Sequence, residues 1–115
     1  MLIYLDFIMV IITKKKGSFI VEVKAKELAN KLKVLANENR LLILYYLLEE
    51  PMTVGELNKK LNNITQSGLS QHLLLLKENN ILDSRKDGLN ITYFVKDKKI
   101  QHVLNVLKEN YSKEF

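Results

Sequence analysis

The 115-residue sequence contains no cysteine, and this absence excludes several kinds of chemistry at once. A chain without thiols forms no disulfide, holds no thiolate metal site and senses no oxidant through cysteine. Glycine is also scarce, with four residues, and none of them belongs to a glycine-rich phosphate-binding loop. No nucleophile is paired with a base and no two carboxylates stand at a catalytic spacing, so the sequence does not predict an enzyme.

Long apolar runs are missing too. Residues 1–12 are apolar except for Asp6, but a membrane-spanning helix needs roughly 20 residues. Three lysines, Lys14–Lys16, follow this segment, whereas a signal peptide carries its positive charge before the apolar run. We therefore treat residues 1–22 as an apolar N-terminal extension. With the β-rich Ser18–Val23 it can form a hairpin or a strand over a dimer surface, or it is upstream sequence with Met9 as the true start.

The remaining composition is that of one folded domain, expected over residues 23–115, with 47% apolar and 27% charged residues. Basic residues number 18 and acidic residues 13, which gives a net charge of +5. Such a balance favours a polyanionic partner such as nucleic acid.

Helical spacing begins at Val23 and predicts a first helix with one apolar face. Asn37 is placed to cap a second helix that runs to about Glu50 and ends before Pro51. Because Leu41–Leu48 is apolar on every side, we expect that helix to be buried all round at the centre of the domain.

A helix-turn-helix follows. Thr53 and Glu56 have the spacing of a capping box, which predicts a third helix to about Leu61. Asn62 and Asn63 make the turn, Ile64 enters the core, and Thr65 caps a fourth helix that extends to about Asn79.

Two strand-like segments, Ile81–Lys86 and Asn90–Lys96, flank Asp87-Gly88-Leu89, a strong hairpin signal. Asp97 then caps a final helix. The predicted fold is mainly α with a small β-hairpin, the arrangement of a winged helix-turn-helix domain.

The fourth helix has the pattern of a DNA-reading helix. Leu69, Leu73 and Leu76 mark its inward face, so glutamine and serine side chains point outward in its first two turns. Glutamine can bond an adenine edge bidentately, and serine can bond a base or a phosphate, while Gly68 permits close approach to a groove wall. The predicted DNA-binding residues are Thr65, Gln66, Ser67, Gly68, Ser70 and Gln71 of the helix and Arg85, Lys86 and Asn90 of the wing. Lys59, Lys60 and Lys77 are candidates for further phosphate contacts.

Four segments resemble the ArsR/SmtB family of prokaryotic winged-helix regulators: Leu35–Leu44 (LANENRLLIL), Thr53–Leu57 (TVGEL), Thr65–Leu73 (TQSGLSQHL) and Ile91–Val95 (ITYFV). The resemblance covers about residues 25–112. It implies a homodimer built on the first and last helices. This dimer is expected to bind an imperfect operator palindrome in double-stranded DNA, usually as a repressor. The implied location is the cytoplasm, and no membrane partner is expected. The implied dimer residues are Leu28, Leu32, Leu35, Ile100, Val103, Leu104, Leu107 and Tyr111.

Many members of that family sense metals, so we compared the positions of this sequence that match the family's metal ligands. One site falls near Asn58 and Lys60, and the other at Asp97, Lys99, Asn110 and Lys113. Only Asp97 suits a metal. The chain therefore resembles the metal-independent members, including the HlyU-like branch, although the two cysteines frequent in that branch are missing. No metal and no other cofactor is predicted.

Two alternatives stay open. One is a winged helix used as a protein-interaction or dimerisation module, in which a partner chain covers the polar tip of the fourth helix. The other is a metal-responsive repressor with a non-standard site formed by His72, His102 and Glu109, although lone histidines are more often structural.

Overall fold

The computed structural model describes residues 14–112, with the side chains of residues 21–111. Within that part the elements follow in the order α1 (Lys14–Leu35), α2 (Glu38–Glu49), β1 (Met52–Thr53), α3 (Val54–Lys60), α4 (Gln66–Glu78), β2 (Leu82–Asp87), β3 (Asn90–Val95) and α5 (Lys98–Ser112). The chain divides into two units at the bond between Lys33 and Val34. The prediction of a mainly α winged helix-turn-helix fold with a small β part is confirmed.

The start of α1 corrects the prediction for the N-terminal region. Ser18–Val23 is helical, so the expected hairpin or strand is wrong for these residues, and α1 passes through Val23 without interruption. Helix and strand preferences of single residues differ by less than about 1 kcal/mol, so a long helix readily includes a few β-branched residues. The predictions for residues 1–12 and for a start at Met9 concern residues outside the described part.

Side-chain caps begin the other four helices, as predicted. Each cap accepts a hydrogen bond from a backbone N–H of the first turn that has no partner within the helix. The pairs are Asn37 with Arg40 (3.2 Å), Thr53 with Glu56 (3.2 Å), Thr65 with Gly68 (3.0 Å), and Asp97 with Lys99 and Ile100 (3.0 and 3.2 Å). The Thr53 hydroxyl also donates to Glu56 Oε1 at 3.1 Å, so the carboxylate holds the hydroxyl of the cap, whereas in a full capping box it accepts from the backbone N–H of the cap.

The core is wholly aliphatic in the described part, with no polar or charged residue among its buried members. It gathers side chains from every helix and from β1 and β2, namely Leu35, Ile43, Leu44, Leu47, Met52, Leu57, Leu61, Leu69, Leu73, Leu76, Ile81, Leu82, Ile100 and Leu104. In α2 only Ile43, Leu44 and Leu47 are buried, and Leu42 is exposed. The prediction that Leu41–Leu48 is buried all round is therefore wrong. The helix packs against α4, β3 and α5 on part of its circumference only.

The sheet has the order β1-β3-β2, with both pairs antiparallel. The predicted hairpin is confirmed, and Asp87 pairs with Asn90 so that Gly88 and Leu89 form a two-residue turn. Gly88 has a φ of +64°, whereas Leu89 has no positive φ, a combination that fits a type II′ turn. Strand β1 was not predicted, because two residues are too few to show the alternation of apolar and polar side chains that marks a strand.

A compact turn joins α4 to β2. Asn80 has a φ of +59°. The N–H of Asn80 donates to the Lys77 carbonyl and the N–H of Ile81 to the Leu76 carbonyl, both at 3.0 Å. These two bonds and the left-handed residue between them define a Schellman motif. The buried pair Leu76 and Ile81 closes it with an apolar contact, so the direction of the wing is set by the end of α4.

No helix in residues 14–112 combines the length and the hydrophobicity that crossing a bilayer requires.

Candidate nucleic-acid interface

The amino-terminal half of α4 presents the predicted polar side chains to solvent. Leu69, Leu73 and Leu76 are fully buried, as expected for the inward face. The exposed residues of the first two turns are Gln66, Ser67, Ser70 and Gln71, and the cap Thr65 is exposed as well. No acidic residue occurs in α4 before Glu78, so nothing in its first turns opposes the positive end of the helix dipole.

Gly68 has a role inside the protein. A Cβ at this position would lie 3.2 Å from Thr65 Oγ1 and 3.3 Å from Ile64 Cγ1, which is closer than ordinary packing. The missing side chain thus makes room for the cap and for the half-buried Ile64. The sequence prediction placed Gly68 against a DNA groove wall, and the structure supplies this separate reason for the glycine.

The turn between α3 and α4 is held by a side chain of α3. Asn58 Nδ2 donates to the carbonyl oxygen of Ile64 at 3.2 Å. The Ile64 side chain packs against the core. Both contacts hold Ile64, the residue before Thr65, and so set the position of the first turn of α4.

The register of the wing places its predicted contact residues on two faces. Residues directly opposite each other in an antiparallel pair share a face, and neighbours along a strand alternate. One face carries the pairs Leu82–Val95, Ser84–Tyr93 and Lys86–Ile91, and the other Asp83–Phe94, Arg85–Thr92 and Asp87–Asn90. Lys86 therefore lies on the face that packs on the core, and Arg85 and Asn90 lie on the opposite face. All three side chains are exposed.

One contact holds Arg85 of the wing, and another connects the wing to the end of α4. The Arg85 guanidinium carbon lies 5.5 Å from the centre of the Phe94 ring, a cation–π distance across the strands. Lys77 Nζ donates to Ser84 Oγ at 2.8 Å and so connects α4 with β2. Lys77, predicted as a further phosphate contact, thus has a partner within the chain. Its side chain is exposed, as are those of Lys59 and Lys60.

Arg40 joins three helices behind the exposed face of α4. Its Nε donates to the Val34 carbonyl at the end of α1, and its NH1 lies 3.3 Å from His72 Nδ1 on α4. A guanidinium can only donate, so His72 Nδ1 is the acceptor and the imidazole is neutral in this arrangement. Burial, and then the Arg40 charge, lowers the pKa of His72 below its ordinary 6.5. His72 is thus a hydrogen-bonded packing residue, half-buried beside the inward face.

The implied dimer residues fall into two groups. Leu35, Ile100 and Leu104 are buried in the core of the chain itself, so they are not available to a second copy and the prediction needs correction for them. Apolar residues at helical spacing identify which side of a helix is buried. They do not show whether the chain's own core or a second copy covers that side. Leu28 and Leu32 of α1 are exposed, as are Val103, Leu107 and Tyr111 of α5. Val106, also exposed, extends the α5 set and was not predicted.

Three of the six positions that match metal ligands in the family have structural roles. Asn58 holds the helix-turn-helix turn, Asp97 caps α5, and Asn110 Nδ2 donates to the Val106 carbonyl at 2.8 Å. Lys113 lies outside the described residues. Within residues 14–112, no three His, Cys, Asp or Glu side chains lie together as a metal site requires.

Two exposed leucines in this region were not among the predicted DNA-binding residues. Leu74 of α4 is 56% exposed, and Leu89 at the tip of the wing is 100% exposed. Leu74 could have been found by placing it on a helical wheel, because it follows Ser67 by seven residues and falls on the polar face.

Comparisons with known proteins agree with this geometry. The family model for "Bacterial regulatory protein, arsR family" matches residues 37–84, which contain the helix-turn-helix. The transcriptional activator HlyU of Vibrio cholerae serotype O1 is 36% identical over 80 residues, 70% of this chain and 73% of that protein. The structure of reduced HlyU from Vibrio cholerae superposes with a TM-score of 0.74 at 33% identity, over 79% of this chain and 95% of that one. The transcriptional repressor BigR from Xylella fastidiosa has a TM-score of 0.71 at 33% identity, over 82% and 92% of the two chains.

Proposed function

The chain belongs to the arsR family of bacterial regulatory proteins, and from this premise we propose that it is a homodimeric, metal-independent repressor that binds a palindromic operator. The family membership makes it a DNA-binding transcriptional regulator. Dimeric binding, the sign of regulation and independence from metal are the proposed part. The observation that carries the proposal is the exposed cluster of glutamine and serine side chains at the amino end of α4, above three buried leucines.

In the proposed complex the amino end of α4 enters the major groove. Gln66 and Gln71 have the amide groups that pair with an adenine edge, and Ser67 and Ser70 can bond bases or phosphates. The wing lies against the flanking backbone or minor groove, where Arg85 and Lys86 neutralise phosphates from its two faces.

The test is a mobility-shift titration against the DNA upstream of the protein's own gene, with random duplex as competitor. We expect Gln66→Ala to weaken binding by about 1–3 kcal/mol and to reduce sequence preference. Arg85→Ala should weaken binding to all sequences and lower the salt slope by about 0.9, the value for one phosphate contact. Lys99→Ala, which removes one exposed cation from the first turn of α5, is the matched control and should leave the slope unchanged. Equal binding of upstream and random DNA at about physiological salt would overturn the proposal.

A second copy of the chain is proposed to cover the exposed apolar side chains of α1 and α5. Val103, Val106 and Leu107 are neighbours on the surface of α5 by their spacing of three and four residues. Exposed apolar groups of this density are typical of association surfaces. Sedimentation should give a dimer for the wild type and a monomer for Leu107→Asp. Leu89→Asp carries the same substitution at the tip of the wing and should remain dimeric.

We propose repression because a dimer bound at a promoter blocks access of the transcription machinery. A reporter under the operator should rise in a strain without the gene and fall when the gene is restored. A reporter that falls on deletion would indicate activation, the activity named for HlyU.

Independence from metal is supported by the structural roles of Asn58, Asp97 and Asn110. We expect zinc and a chelator to leave operator binding unchanged. Loss of binding on addition of zinc, and its restoration in His102→Ala, would instead identify a non-standard metal site.

A further inference from the structure

We propose that Leu74 reads a thymine methyl group in the major groove, one step beyond the base contacted by Gln71. This inference rests on the proposed function and adds an apolar contact to it. The observation behind it is a leucine that is 56% exposed in the middle of the polar face of α4.

The helix geometry places Leu74 in line with the polar contacts. Leu74 lies seven residues after Ser67 and three after Gln71, so all three point to the same side of α4. The buried residues Leu69 and Leu73 lie on the opposite side. A helix that turns Ser67 and Gln71 toward DNA therefore turns Leu74 toward it as well.

The spacing suits a neighbouring base pair. Three residues advance a helix by about 4.5 Å, and successive base pairs are separated by about 3.4 Å. Four residues further on, Glu78 occupies the same face, and its carboxylate repels phosphate. The surface that can face DNA therefore ends close after Leu74, which makes this leucine its last contact.

The chemistry selects thymine. A leucine has no hydrogen-bonding group, and the C5 methyl of thymine is the one apolar group that a base pair presents in the major groove. Leu89 at the tip of the wing has no such partner, because the minor groove carries no methyl group.

The experiment begins with selection of duplexes from a random pool by the wild-type dimer. Each thymine of the enriched site is then replaced singly by deoxyuridine, which removes the methyl and leaves base pairing unchanged. We expect one thymine in each half-site to be sensitive, with a loss of about fourfold in affinity, the effect of one buried methyl group. Leu74→Ala should bind the thymine and deoxyuridine duplexes equally. Leu89→Ala is the matched control, since it removes an equally apolar side chain and should retain the sensitivity to deoxyuridine.

The outcomes separate the two proposals. A pool that yields no preferred sequence refutes the proposed function. A preferred sequence in which no thymine is sensitive to deoxyuridine refutes the contact by Leu74. The same is true if Leu74→Ala still loses about fourfold in affinity when thymine is replaced by deoxyuridine. Both results leave the proposed function as a regulator standing. Leu74→Ala should melt at the wild-type temperature and sediment as the wild type does. A change in its sedimenting mass would place Leu74 between protein copies and overturn the proposal.

Discussion

Removal of the Arg40 side chain tests the link between α4 and the helices behind it. Arg40→Ala breaks the bond to the Val34 carbonyl and the bond to His72 Nδ1. A bond from a charged donor to a half-buried carbonyl contributes about 1.5 kcal/mol, and the longer bond to the neutral ring about 0.5–1 kcal/mol. We therefore expect the free energy of unfolding to fall by about 2–2.5 kcal/mol.

Urea denaturation of a double-mutant cycle isolates the contact between the two side chains. His72→Ala should cost about 0.5–1 kcal/mol through the lost bond, in addition to lost packing. With Arg40→Ala already present, His72→Ala should cost less by that amount, because the bond is gone. Arg40→Lys keeps the charge but lacks the planar fork that reaches two acceptors, so it should recover only part of the loss.

The pH dependence gives an independent measurement. Because burial and Arg40 hold the pKa of His72 below 6.5 in the folded protein, the unfolded chain binds a proton first as the pH falls. The contribution of neutral His72 is complete above pH 6.5 and declines from there down to the folded-state pKa. His72→Ala should remove this decline, and His102→Ala, which truncates an exposed histidine, should retain it. Strictly additive costs in the cycle, together with equal pH slopes in the two histidine variants, would refute the reasoning.

Three further predictions concern local geometry. Thr65→Ala and Thr53→Ala each remove one helix cap and should cost about 1 kcal/mol of stability, but only Thr65→Ala, at the tip of α4, should also weaken operator binding in a mobility shift. Asn80→Gly should be neutral or stabilising in urea denaturation, whereas Asn80→Ala should cost about 1 kcal/mol, because the position is left-handed. Gly88→Ala places a side chain at a φ of +64° and should lower the melting temperature without changing the sedimenting mass; an unchanged melting temperature would contradict the assigned turn.

The sequence predicted the starts of α2, α3, α4 and α5 well because their causes are local. Asn37, Thr53, Thr65 and Asp97 each bond a backbone N–H two or three residues away, so the residue type and its spacing contain the whole interaction. The buried leucines of α4 were also predicted from the sequence, since the helical repeat of about 3.6 residues places them on one face.

Features that depend on distant partners were not readable. Strand β1 exists because Met52 pairs with Tyr93, far along the chain. The bond between Arg40 and His72 joins residues 32 positions apart. Leu104 was assigned to a dimer although the chain's own core covers it, because an apolar stripe does not state which surface it meets.

The turn at Asn80 also has a consequence for how the duplex is bound. Helix α4 and the wing are held in one relative orientation by the backbone hydrogen bonds around Asn80 and by the hydrogen bond from Lys77 to Ser84. A change in their relative orientation requires those bonds to break, so in the proposed complex α4 and the wing would contact the operator at a fixed separation. A site whose grooves lie at a different separation must bend or twist to fit, and that deformation energy falls on the DNA. Base pairs that no side chain touches can then influence affinity through their stiffness alone.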